Sequence, residues 1–270
     1  MDKKTLIIFT IIFFIVQVIG TIVAMGFSGL GLEATLINED PNDVINAIAL
    51  IIYILVMTGV ILILIKYKKS KNIFWIFEIL AVWTTTALVI GLLIGDYAMI
   101  IATILILARL KWKKNIWIKN IAALMAVVGA GALIGISLGI IPIIVFVILL
   151  SIYDLIAVFG TKHMITMAKT ITKENMAFTF TFPTKKREIN LGTGDLVIPL
   201  AVIAATINST QITGIQNTFL AGIIVAISAY IGLVMTIWWV SKKEGRALPA
   251  LPPQTALMVI TIIILILIGI

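Results

Sequence analysis

The chain has 270 residues, of which 61% are hydrophobic and 12% charged, with a net charge of +8 and no cysteine. A soluble domain is nearer half apolar and a quarter charged, so this composition excludes an ordinary globular protein and marks an integral membrane protein. The missing cysteines exclude disulfides, thiolate nucleophiles and Cys-ligated metals, and a single histidine, His163, leaves no HExxH pair or multi-histidine zinc cluster.

The opening segment, MDKKTLIIFTIIFFIVQVIGTIVAMG, begins like a secretion signal. Its apolar stretch of about 20 residues is longer than a signal h-region and no A-x-A site follows, so it reads as a retained first span. Apolar runs long enough to cross a bilayer lie near 5–25, 45–65, 73–95, 117–137, 140–161, 191–208, 218–240 and 254–270. The stretch 97–108 (YAMIIATILILA) is too short to assign by length. Lysines and arginines gather at 3–4, 66–71, 109–119, 162–187 and 242–246, and these clusters contain all twenty basic residues. The opposite loops carry Glu33, Glu39, Asp40, Asp43 and Asp96, or no charge.

Positive-inside bias puts every basic cluster in the cytoplasm. Lys71 and Arg109 then share a side, so 97–108 crosses as a short fourth helix or 73–108 is re-entrant; the crossing is the preferred reading. The expectation is an all-α polytopic protein of the cell membrane with nine transmembrane helices, its N-terminus cytoplasmic and its C-terminus extracellular. It forms one membrane-embedded domain over 1–270, with helices 1–6 across about 5–161, a cytoplasmic loop at 162–190, and helices 7–9 across about 191–270. Charge spread between apolar runs is topology, so no nucleic-acid partner is expected, and membrane lipid is.

Several features have plain structural readings. Gly131, Gly135 and Gly139 make a small-residue face on helix 5 that suits helix packing. Glu78, near the cytoplasmic end of helix 3, either serves a proton relay, pairs locally or reaches toward the interface. Asn208-Ser209-Thr210 fits a glycosylation sequon, a weak three-residue match. Gly26-Phe27-Ser28-Gly29 matches the GxSG of rhomboid serine proteases, but Ser28 ends helix 1 on the outer side while His163 follows helix 6 on the inner side. A membrane separates them, so no nucleophile–base bond can form.

Two carboxylates resist a structural reading. Asp154 lies within VFVILLSIYDLIAVFG and Asp195 within LGTGDLVIPLAVIAA, where a charge costs roughly 2.5–3.5 kcal/mol. Asp154 precedes Lys162 by eight residues, which puts it roughly 12 Å inside the cytoplasmic boundary. Asp195 follows Glu188 by seven residues, about 10 Å if helical. Consecutive antiparallel helices are ready neighbours, so the pair can meet at one depth and share a proton as an acid/base dyad.

Gly192, Thr193 and Gly194 loosen the backbone before Asp195, and Pro199 has no N–H for the Asp195 carbonyl. Irregular backbone at that depth implies a water-filled cavity. On the same side, Leu248-Pro249-Ala250-Leu251-Pro252-Pro253 is expected to hold the chain extended before the last helix. Ala177-Phe178-Thr179-Phe180-Thr181-Phe182 alternates like a strand, and with Pro249–Leu251 it could offer edges to an unwound substrate.

Tyr153-Asp154, Gly192-Thr193-Gly194-Asp195 and Pro249-Ala250-Leu251-Pro252 resemble, in order, the YD, GxGD and PAL motifs of presenilins and signal peptide peptidases. The chain is similar to a compact prokaryotic homologue of that family. The resemblance implies an intramembrane aspartyl protease that hydrolyses peptide bonds within transmembrane-helix protein substrates. It implies Asp154 and Asp195 as catalytic residues, Tyr153, Gly192, Thr193 and Gly194 as their support, Pro249, Ala250, Leu251 and Pro252 in substrate binding, and no cofactor or metal. The rival reading is a proton- or cation-coupled transporter, which also uses intramembrane carboxylates and broken helices. Transporters pair such breaks in corresponding repeats, whereas here they crowd into helices 6, 7 and 9. A purely structural scaffold would leave both carboxylates unexplained.

Overall fold

The computed structural model describes residues 3–32, 37–66, 70–160, 175–183, 188–209, 217–242 and 249–269. Within them the order is α1 (Lys3–Gly29), α2 (Val44–Lys66), α3 (Ser70–Ile94), α4 (Ala98–Lys111), α5 (Ile116–Ser137) and α6 (Ile140–Leu155), then β1 (Thr179–Pro183) and β2 (Glu188–Gly192), then α7 (Gly194–Asn208), α8 (Thr218–Lys242) and α9 (Leu251–Ile268). Seven stretches are long and apolar enough to cross a membrane, with Ile73–Lys111 counted as one, and α7 is a shorter apolar helix. His163, Arg246 and Thr210 of the sequon lie outside the described residues.

The ambiguous stretch after α3 is a helical hairpin. Gly95 adopts φ +59°, a left-handed conformation that costs glycine little, and a 3₁₀ turn over Gly95–Tyr97 reverses the chain. α4 then returns along α3, with Trp83 Nε1 donating to Thr103 Oγ1 at 3.1 Å. Further down, the Glu78 carboxylate accepts from Arg109 Nε at 2.9 Å, both side chains being 1% exposed. Glu78 therefore pairs locally, across the hairpin. Arg109 also donates to the carbonyls of Lys113 and Asn175 and lies over the Trp75 ring, so the pair ties the α3–α4 hairpin to the chain entering β1.

α5 is the central helix, touching α1, α3, α4, α7 and β1. A Cβ built on Gly135 would stand 2.4 Å from Ala204 Cβ and 2.6 Å from the Ala201 carbonyl oxygen, and one on Gly131 would stand 2.7 Å from Leu200 Cδ2. These two glycines bring α5 directly onto α7, the helix that carries Asp195. Gly139 belongs elsewhere: it precedes α6, and its N–H donates to the Pro41 carbonyl at 2.7 Å.

Two local expectations need correction. The chain from 188 to 192 is strand, so α7 begins at Gly194 and not near 191. The stretch expected to be an extended proline segment is only partly so: Pro249 and Ala250 precede the helix, but Leu251, Pro252 and Pro253 form the first turn of α9. Proline is tolerated there because first-turn N–H groups have no intrahelical partner to lose.

The 177–182 alternation does form a strand, β1, paired antiparallel with β2. Phe180 and Phe182 stack on one face, and Phe182 meets Phe9 of α1 edge-on. On the other face Lys119 Nζ of α5 donates to Thr179 Oγ1 at 3.1 Å and Thr181 Oγ1 at 2.7 Å. Both faces are buried against helices, so part of the loop expected at 162–190 is a packed element of the bundle.

Candidate active site

Asp154 sits in the last turn of α6, 4% exposed, immediately before a π-helical turn at Ile156–Gly160. Such turns widen a helix and recur at functional sites. Asp195 is the second residue of α7 and is partly exposed. The two carboxylates lie within direct Coulombic reach of each other. Asp154 is set by the end of α6, Asp195 by the start of α7, and the first turn of α9 touches both. The Leu251 N–H donates to Asp154 Oδ2 at 3.4 Å, and one turn later Gln254 Nε2 donates to the Asp195 carbonyl at 3.5 Å.

Pro199 accounts for the second contact. Within α7 it offers no N–H to the carbonyl four residues back, which is that of Asp195. The Gln254 amide takes the vacant place. The next carbonyl, of Leu196, accepts from Gln17 Nε2 of α1 at 3.3 Å. α8 presses the α9 turn into position: a Cβ on Gly232 would stand 2.6 Å from Gln254 Cα and 2.8 Å from its N.

The glycines and threonine before Asp195 do different things. The Thr193 N–H and Oγ1 both donate to the Phe178 carbonyl, at 3.2 and 3.0 Å, which ties the start of α7 to the chain entering β1. Its own carbonyl accepts from the N–H groups of Leu196 and Val197. A Cβ on Gly192 would meet Asp195 Oδ2 at 3.3 Å, whereas one on Gly194 would meet nothing within 4 Å. Gly192 therefore gives the carboxylate room, and Gly194 borders open space. Tyr153 is half-buried against the apolar core, one residue before Asp154 on α6. Pro249 is buried, Ala250 and Pro252 are half-buried, and of this segment it is the Leu251 N–H that bonds an aspartate.

The hairpin beside Asp195 has one closed and one open edge. The Thr181 N–H donates to Asn120 Oδ1 and its carbonyl accepts from Asn120 Nδ2, both at 2.9 Å, so a side chain of α5 occupies the outer edge of β1. Thr181 is opposite Asn190, and a residue that turns both backbone groups outward makes a non-hydrogen-bonded pair with its partner. Asn190, and Gly192 two residues on, thus direct their backbone groups to the far edge of β2. Among the described residues nothing pairs with them there.

Residues 10–269 match the family described as signal-peptide peptidase, presenilin aspartyl protease. The chain belongs to this family. It is an intramembrane aspartyl protease and a multi-pass integral membrane protein, with transmembrane-helix proteins as its substrate class. Membership decides against the transporter reading. Two solved structures of a presenilin family intramembrane aspartate protease share the fold. The one in space group C222 has a TM-score of 0.68 at 20% identity, covering 96% of this chain and 97% of the other. The one in space group P2 has a TM-score of 0.67 at 22% identity, covering 96% of each chain. No curated protein sequence matches significantly.

The motifs singled out Asp154 and Asp195, which the fold brings near one another, but not Gln17, Asn120 and Gln254. Two of these had a signal. Gln17 is a lone amide in IIFFIVQVIG, and Gln254 follows the prolines by one residue. Asn120 was hidden among basic residues read as topology.

Proposed function

We propose that Asp154 and Asp195 are the catalytic pair of this protease. The observation that carries the proposal is the shared contact with α9: one helical turn bonds the Asp154 carboxylate through Leu251 and the Asp195 backbone through Gln254. Two carboxyl groups, one buried and one partly exposed, held together from a third helix form a preorganised acid/base site. One aspartate, ionised, removes a proton from water as its oxygen attacks the scissile carbonyl carbon; the other, protonated, donates to the carbonyl oxygen, giving a gem-diol. Collapse of the gem-diol breaks the C–N bond, with a proton passed to the leaving nitrogen. The products are a new carboxyl terminus and a new amine, and no cofactor takes part. The coupled pair titrates as a unit, so base and acid are roles of the dyad.

A helical substrate must unwind before water reaches its peptide bond. In this reading the open edge of β2, at Asn190 and Gly192, receives the unwound segment as an added strand and leads it to Asp195. Asn120 supports β2 over β1 as the acceptor, because it already fills the β1 edge. Tyr153, Thr193 and Gly194 belong to the site as backbone support, and Pro249–Pro252 form its third wall.

The topology proposed for the protease is nine crossings, with the N-terminus cytoplasmic and the C-terminus extracellular. The return of α4 along α3 supports counting them separately, and α7 supplies the remaining crossing. Exposed apolar residues such as Ile7, Val18, Leu93 and Leu267 face lipid in this arrangement. Cleavage of a helical reporter by purified protein, blocked by a transition-state-analogue aspartyl inhibitor, tests the assignment. Inhibitor-resistant cleavage would count against it.

A further inference from the structure

We infer that Gln254 and Gln17 are positioning residues for the reaction: the Gln254 amide replaces the helix hydrogen bond that Pro199 removes, the Gln17 amide adds a donor to the next carbonyl, and together they fix Asp195. This rests on Asp195 being catalytic. α7 is buried over most of its length, so an unpaired carbonyl in its first turn would be costly, about 1–3 kcal/mol. Proline removes the Asp195 carbonyl's intrahelical donor and its ring pushes that carbonyl aside. Two side chains from two other helices converge there. Gln254 Nε2 donates to the carbonyl of Asp195 and Gln17 Nε2 to that of Leu196, the next in sequence.

Burial makes the arrangement purposeful. Gln254 is 0% exposed and Gln17 is 3% exposed. Neither carboxamide oxygen has a partner among the described residues. A buried glutamine that leaves its acceptor unsatisfied is a poor choice for packing alone, where leucine or methionine would fill the same space without that cost. The donor end is what these positions need. Because Gln254 shares its helical turn with Leu251, a shift of the Asp195 carbonyl would be felt at Asp154 as well.

The test is a coupling measurement on the full-length protease, reconstituted in lipid, with a helical reporter substrate. Gln254→Leu and Gln17→Leu are each made in the parent and in a Pro199→Ala background, which restores the missing N–H. The expected result in the parent is a kcat about tenfold lower for each change, with KM within about twofold, since the substrate contacts are untouched. In the Pro199→Ala background the Gln254→Leu loss should shrink to about twofold or less, because the backbone now supplies the bond. Pro199→Ser serves the same purpose if Pro199→Ala does not fold, and elution profile and inhibitor binding report folding in every variant. Equal Gln254→Leu losses with and without Pro199, or no loss in the parent, would overturn the inference. An Asp195→Asn enzyme that still cleaves would overturn the catalytic assignment instead, so the two failures are distinguishable.

Discussion

The Leu251 N–H donates to the Asp154 carboxylate at 3.4 Å, across 97 residues of sequence. Leu251 is the first residue of α9, where an N–H has no intrahelical acceptor and the helix dipole favours a negative charge. The prolines after it keep the turn rigid. Asp154 thereby gains a donor that cannot be supplied by its own helix, and the position of α9 becomes part of the chemistry.

That position depends on Gly232. Its Cβ hydrogens are absent where the Gln254 and Pro253 backbone passes, and backbone cannot swing aside as a side-chain tip can. Gly232→Ala should displace the first turn of α9, lowering stability by about 1–3 kcal/mol and kcat by about tenfold. Thermal unfolding and reporter cleavage in the same preparation check both.

The two glycines before Asp195 should separate in mutagenesis. Gly192→Ala places a methyl against Asp195 Oδ2 at 3.3 Å and should reduce kcat with little change in unfolding temperature. Gly194→Ala meets nothing within 4 Å and sits at a helix start, so the fold should be retained or gain about 0.4–1 kcal/mol. Side-by-side melting curves and initial rates distinguish the two, and equal melting losses at both positions would contradict this division.

The edge of β2 should become protected when substrate binds. Amide hydrogen exchange at Asn190 and Gly192 is expected to slow on adding a substrate-derived peptide, while Thr181, already bonded to Asn120, changes little. In an Asn120→Ala variant the Thr181 amide should exchange faster in the free enzyme. Protection appearing at Thr181 and not at Asn190 would place the substrate on the other edge.

Much of this was legible in the sequence. The all-helical architecture, with nine α-helices among the described residues, follows from run length and the placement of basic residues, and the YD, GTGD and PAL segments singled out the aspartates proposed as the pair. What escaped was anything that required knowing which side chain crosses to which helix. Pro199 announces a missing bond, but not that Gln254 replaces it while Gln17 bonds the next carbonyl. Lys119 reads as cytoplasmic charge and Asn120 carries no signal, yet they hold β1. Run length also overestimated α7, because the polar and glycine residues at 188–192 are compatible with a strand once another strand lies beside them.

The buried Glu78–Arg109 pair should matter for stability more than for chemistry. Arg109→Leu leaves Glu78 and two backbone carbonyls without their donor and should cost about 3–5 kcal/mol. Glu78→Gln keeps an acceptor for Arg109 and should cost less. Unfolding monitored in detergent gives the ranking, and the reverse order would show that the guanidinium contacts to Lys113 and Asn175 are unimportant.

The most direct measurement is cleavage of a helical reporter by the purified protease carrying Asp154→Asn or Asp195→Asn, each confirmed to insert and elute like the parent. Removing either half of an acid/base dyad should lower the rate by about 10²–10⁴-fold or more, leaving no cleavage above background in both variants. Parent-like cleavage by either variant would contradict the assignment of Asp154 and Asp195 as one catalytic unit.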